Sequence, residues 1–153
     1  MKYLFFLCFS LFLSVAVNAQ NTDEAAVNQT VKDFFKAFHA KDSTALRSFA
    51  YGYVELQSIA KDKTGEVQLH NETYEAFVKS ISTIPENVAF EERILGYDIK
   101  VDGDMANAWT PYEFYVNGER SHCGVNSFQF IRTKEGWKII YLIDTRRRQG
   151  CDE

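Results

Sequence analysis

The chain has 153 residues, 46% of them hydrophobic and 15% aromatic, and a formal charge of −4. That length suffices for one buried core and is short for two. The acidic balance argues against nucleic acid or an anionic membrane surface as a partner.

The N-terminus is set apart from the rest. Lys2 precedes an apolar run from Tyr3 to Val17, which exits through Asn18-Ala19-Gln20. One basic residue, a short apolar stretch and small Val17 and Ala19 before the cut predict a secretory signal peptide over residues 1–19. The run is too short and too poorly flanked to span a bilayer, so no stable membrane insertion is expected. Cys8 lies inside the run and not at the cut, which argues against a lipid anchor. Cleavage would remove Lys2 and take the formal charge from −4 to −5. An exported protein, periplasmic or extracellular, follows. Cys123 and Cys151 would remain; export would let them pair, and a disulfide and two free thiols both stay open.

No repeat, low-complexity segment or Pro/Gly-rich linker divides residues 20–153, so one domain is predicted there. Asp23 to Ala40 reads as a helix capped by Thr22 or Asp23, with Val27, Val31, Phe34, Phe35 and Phe38 in one apolar stripe. A short helix from Ser43 to Phe49 follows. Val54 to Ala60 is a strand, Lys61 to Gly65 a turn and Glu66 to His70 a short return strand. Asn71 is expected to cap a third helix that buries Tyr74, Phe77, Val78 and Ile81 and stops at Pro85.

Four strands come next, at 87–101, 105–116, 119–132 and 137–146. Asp102-Gly103-Asp104 suits a three-residue hairpin loop, Asn117-Gly118 a two-residue type I′ turn, and Thr133 to Gly136 a four-residue loop. Helices, a strand pair, a helix and a meander define an α+β order. The helices have an antiparallel sheet as their only large partner.

The turns assign faces, because opposed residues across an antiparallel pair point the same way. They set Glu113 opposite His122, Trp109 opposite Asn126 and Tyr97, Phe128 opposite Tyr141, and Phe130 opposite Ile139. One face then carries Tyr97, Met105, Trp109, Glu113, His122, Asn126, Phe128, Phe130, Ile139, Tyr141 and Thr145. It is apolar at one end and polar at the other, which describes a pocket for a small hydrophobic or aromatic molecule. The opposite face, with Ala108, Thr110, Tyr112, Phe114, Cys123, Val125, Leu142 and Asp144, is too apolar for solvent and predicts a homodimer formed sheet to sheet.

Glu113 and His122 are the candidate catalytic pair, a carboxylate that fixes an imidazole for proton transfer. Tyr97, Trp109 and Tyr141 would stack on a flat ligand. Asn126 would donate to a developing oxyanion, and Thr145 shares its end of the strands. The plainer alternative is a cross-strand polar pair. His39, His70 and His122 lack ligand-like spacing, so neither a metal nor another cofactor is expected. Arg146, Arg147 and Arg148 are either an anion clamp or a solvated charge run.

The order of elements, with the segments "VDGDMANAW", Ser127-Phe128-Gln129-Phe130-Ile131-Arg132 and Gly136-Trp137-Lys138-Ile139, resembles the nuclear-transport-factor-2-like superfamily in its SnoaL-like and lumazine-binding-like branches. The resemblance implies a cone-shaped α+β fold, three N-terminal helices on a curved, mainly antiparallel sheet. Enzymes of that superfamily, such as ketosteroid isomerase, use an acidic base with hydroxyl or protonated-acid donors. Cyclase and dehydratase members use an acid, often with His, and Glu113 and His122 match these in kind. The expectation is a small-molecule-binding domain. The alternatives are an isomerase, dehydratase or cyclase, or a dimeric structural or partner-binding protein.

Overall fold

A computed structural model describes residues 22–151. The predicted signal peptide lies outside them. Helix α1 spans residues 22–39 and buries Val27, Val31, Phe34, Phe35 and Phe38. Lys41, at a left-handed φ of 54°, turns the chain out of it. Helix α2, Ser43–Ser48, is capped by the Asp42 carboxylate, which accepts from the backbone N–H of Thr44 and Ala45. Helix α3, Tyr74–Ser82, is capped by Thr73 and not by Asn71. The reason is that the return strand runs on, and Asn71 pairs with Gln57 inside it.

The strands are β1 (Ala50–Lys61), β2 (Val67–Thr73), β3 (Phe90–Ile94), β4 (Asp98–Asp102), β5 (Met105–Val116), β6 (Glu119–Thr133) and β7 (Gly136–Arg146). They form one sheet in the order β2-β1-β7-β6-β5-β3, with β4 also paired to β5. All pairs are antiparallel except β1 with β7. The helices cover one face. Phe34 and Phe35 of α1 meet Phe128 of β6 edge-on at 5.5 and 6.0 Å, and Phe128 stacks on Phe130.

Four one-residue differences change the predicted faces. The β4–β5 loop holds two residues, with Asp102 opposite Met105. The first meander strand is two strands, broken at Leu95-Gly96-Tyr97; Ile94 pairs with Tyr112 whereas Asp98 pairs with Trp109. A bulge at Ser121 sets Phe114, not Glu113, opposite His122. A second bulge at Ile140 sets Leu142, not Tyr141, opposite Phe128. A shift of one residue exchanges the two faces of everything beyond it. The 117–118 turn and the Phe130–Ile139 pair are as expected.

Two further contacts pin the chain. The Lys41 ammonium donates to the carbonyls of Ile84, Pro85 and Val88 at 3.3, 2.9 and 3.1 Å, gathering the loop that leads into β3. Cys123 and Cys151 form a disulfide across 28 residues. Among the described residues, no helix is long and apolar enough to cross a membrane.

Candidate functional site

Between the helices and the sheet lies a cavity of about 640 Å³, within the range of small-molecule sites. Phe34, Phe35, Phe38 and Phe77 line it from the helices, and Phe114 and Phe128 from the sheet. The paired strands arrange the sheet side in rows. One row is polar and crosses five strands: Thr110, Asn126, Asp144, Ser58 and His70. Beside it, Ala108, Phe128, Leu142 and Leu56 make an apolar row. On its other side, Glu92, Phe114 and His122 lie abreast on β3, β5 and β6.

Of the predicted catalytic and ligand-binding residues, His122 and Asn126 reach this cavity, and Arg146 of the arginine run also lines it. The pairing of Glu113 with His122 is overturned by the Ser121 bulge. Glu113 lies on the outer face, 2.7 Å from the Arg120 guanidinium and accepting from the Tyr115 hydroxyl. Trp109 is outward and 49% exposed, because the same bulge sets Thr110, not Trp109, opposite Asn126. Tyr97 sits at the strand break with the Lys32 ammonium 5.5 Å from its ring centroid. Beyond the Ile140 bulge, Tyr141 bonds Gln57, and Thr145 accepts from the Val125 backbone N–H at 3.1 Å.

The residues that do face inward divide sharply in their bonding. Asp144 accepts from Ser58 on one oxygen, and from the Tyr112 hydroxyl at 3.0 Å and Arg146 Nε at 2.9 Å on the other. Glu92 accepts one side-chain bond, from Asn126 Nδ2 at 2.7 Å. Its second oxygen takes none from any described residue. Burial pushes the Glu92 carboxyl up to about 7; the Asn126 bond opposes that rise, and the charge of Asp144 adds to it. A carboxyl poised there takes up and releases a proton near neutrality.

Two imidazoles frame this acid. His39 Nε2 accepts the Glu92 backbone N–H at 2.9 Å, which fixes β3 against α1. His122 stacks on Phe114 at 4.9 Å and meets Tyr112 edge-on. Burial lowers the pKa of His122, and the positive Arg146 lowers it further, so its ring is neutral at pH 7. Tyr112 is pushed well up by burial and by Asp144, so its hydroxyl keeps its proton.

Glu92, Asp144, Tyr112 and Ser58 were absent from the sequence-based site. For Glu92 a signal exists in β3 itself. Phe90 and Ile94 are apolar at period two with Glu92 between them, which places a carboxylate at a core register. Tyr112 and Asp144 depend on bulges that the pattern does not mark, and Ser58 on the non-local pairing of β1 with β7.

A cavity enclosed by helices over a seven-stranded, mainly antiparallel sheet, with a carboxylate on its wall, defines a class of small α+β proteins. The SnoaL-like domain model matches residues 27–142, and the chain belongs to that family. Solved structures with the same fold include a candidate dehydratase of the nuclear-transport-factor-2-like family from Streptomyces avermitilis, 18% identical over 82% of this chain and 96% of that one, TM-score 0.62. Another is a nuclear-transport-factor-2-like protein with a cystatin-like fold from Novosphingobium aromaticivorans, 15% identical over 92% and 89%, TM-score 0.65. A third is a protein of unknown function from Mycobacterium tuberculosis, 14% identical over 89% and 78%, TM-score 0.68. No curated protein matches the chain.

Proposed function

We propose that the cavity binds a small, largely apolar molecule and that Glu92 transfers a proton to or from it, as in isomerase or dehydratase chemistry. One observation carries this reading. Glu92 presents a carboxylate oxygen that no described residue bonds, in an aromatic cavity, and is raised to about 7, whereas its neighbour Asp144 has bonds on both oxygens. Neutral His122, abreast of Glu92 across Phe114, is placed to donate to an oxygen on the same molecule.

The native substrate is not needed for the test. 5-Nitrobenzisoxazole loses its ring C–H proton to a base as its N–O bond opens to a nitrile and a coloured phenolate. The proton passes to Glu92 and then to water. The wild type is expected to exceed Glu92→Gln by roughly 100-fold or more. Its rate should rise with pH to half-maximum near 7, since the carboxylate is the active form. Equal rates for the two proteins would remove the proton-transfer reading.

Two further parts of the reading are proposals of the same standing. Export is supported by the N-terminal pattern and by the Cys123–Cys151 disulfide, which suits an oxidising compartment. Ala108, Thr110, Tyr112, Phe114, Leu142 and Asp144, expected on the dimer face, turn inward, and a homodimer through the outer face of the sheet is supported instead by exposed Met105 and Trp109 there. Sedimentation should show a dimer that Trp109→Asp converts to monomer; a strict wild-type monomer at high concentration would exclude it.

A further inference from the structure

The end of β7 departs from a regular ladder at one peptide. Cys123 and Arg147 exchange both backbone hydrogen bonds, at 2.9 and 2.7 Å. In an antiparallel pair the next such exchange falls two residues along, between Val125 and Thr145. Val125 and Thr145 are not a ladder pair, and the Val125 N–H goes to the Thr145 hydroxyl oxygen at 3.1 Å. The Thr145 carbonyl is turned onto the inner face, where it lies 2.9 Å from the Tyr112 hydroxyl. It occupies the space above Gly124, and a Cβ at that position would stand 1.7 Å from it.

We propose that Thr145 is a positioning residue for the cavity: its hydroxyl takes the place of its own carbonyl in the β6–β7 ladder, which frees that carbonyl to hold the Tyr112 hydroxyl against Asp144. Several observations combine here. Threonine is one of the few residues whose side-chain oxygen can stand in for a backbone acceptor at this range. Glycine at 124 is what lets the turned carbonyl approach. The single Tyr112 proton is then shared between the Thr145 carbonyl and the Asp144 carboxylate, a three-centre bond that sets the hydroxyl between them. With Ser58 and Arg146 on the same carboxylate, Asp144 is locked in place. This ties Tyr112 of β5 to Asp144 and Arg146 of β7; Asn126 of β6 bonds the Glu92 carboxylate, and His39 of α1 accepts its backbone N–H.

This inference rests on the proposed role of Glu92 only for its consequence in catalysis, and the test separates the two. Carbon-13 NMR of the Glu92 side-chain carboxyl, assigned with Glu92→Gln, is followed against pH in the disulfide-bonded protein. Thr145→Val lacks the hydroxyl, and its Glu92 midpoint should fall by the part that the Asp144 charge contributes, because Asp144 is then held beside it by fewer contacts. Thr145→Ser restores the oxygen and should restore the wild-type midpoint. Tyr112→Phe removes the bridging hydroxyl and should reproduce the fall; it decides the question if Thr145→Val fails to fold. An unchanged midpoint in Thr145→Val or Tyr112→Phe overturns the proposal, as does a serine variant as altered as the valine one. The benzisoxazole rate is read on the same proteins. A rate that ignores Glu92 in the wild type removes the base, and the titrations still judge Thr145.

Discussion

Glu92 and Asp144 share one wall of one cavity and differ in what each has left to bond. That difference has a thermodynamic side. The Glu92 carboxyl titrates near 7 when folded and at 4.5 as its reference value. Between those values the folded state holds more protons than the unfolded one, so this group favours folding below 4.5 and loses that contribution as pH rises through 7. The span corresponds to a penalty on the order of 3 kcal/mol at high pH. Glu92→Gln keeps an acceptor for Asn126 and cannot ionise. Its stability relative to wild type, from urea unfolding, should improve between pH 5 and pH 8; a constant difference would contradict the raised carboxyl. Gly124 is the second residue with a sharp expectation. An added methyl collides with the Thr145 carbonyl, so Gly124→Ala should cost about 3 kcal/mol in the same measurement, far more than an alanine in an ordinary strand.

At the scale of elements, α1 and β6 hold the aromatic wall. Phe128 is fully buried between the Phe34 and Phe35 rings and the sheet. Phe128→Ala should cost about 3–5 kcal/mol by denaturant unfolding, and a value under about 1 kcal/mol would mean that the helices dock elsewhere. The element order, the helical stripes and most strand bounds were legible, because each is a local signal: Val27, Val31 and Phe34 repeat at helical spacing, and Asn117-Gly118 marks its turn outright. The site was legible only in part. His122 and Asn126 lie on the stretch of β6 between its bulge at Ser121 and the turn, where counting by twos holds. Trp109 and Glu113 were lost by one residue at Ser121, and Tyr141 and Thr145 by one at Ile140. Local sequence does not print these insertions, since a bulge residue such as Ser121 is ordinary in a strand. What selects them is tertiary. Phe114, Tyr112 and Leu142 are buried only if the register slips, and their burial outweighs one disrupted pair in the ladder.

At the scale of the whole molecule, the disulfide fastens the last described residues to the centre of the sheet. It closes a loop of 28 residues, for which chain entropy alone gives about 3.5 kcal/mol. Cys151→Ser should lower stability by about that amount in oxidising buffer. The wild type should fall to the same level when reduced, and equal stability of oxidised and reduced wild type would count against the bridge. Because Cys123 is the ladder partner of Arg147, the same loss should loosen the end of β7 that carries Asp144 and Arg146. Protein prepared in a reducing cytosol should therefore bind probes of the cavity more weakly than protein prepared by export.

Lys41 gives the molecule a built-in reporter. An ammonium has three hydrogens, and here three carbonyls claim them. Such an ammonium is held in place, and a reagent reaches it only when those bonds open. Brief treatment with an amine-acylating reagent should therefore mark exposed Lys63 and Lys134 well before Lys41. The rate at which Lys41 does react measures how often the 84–88 loop lets go, and that loop leads directly into the strand carrying Glu92. A ligand that closes the cavity should slow the labelling without touching the lysine itself.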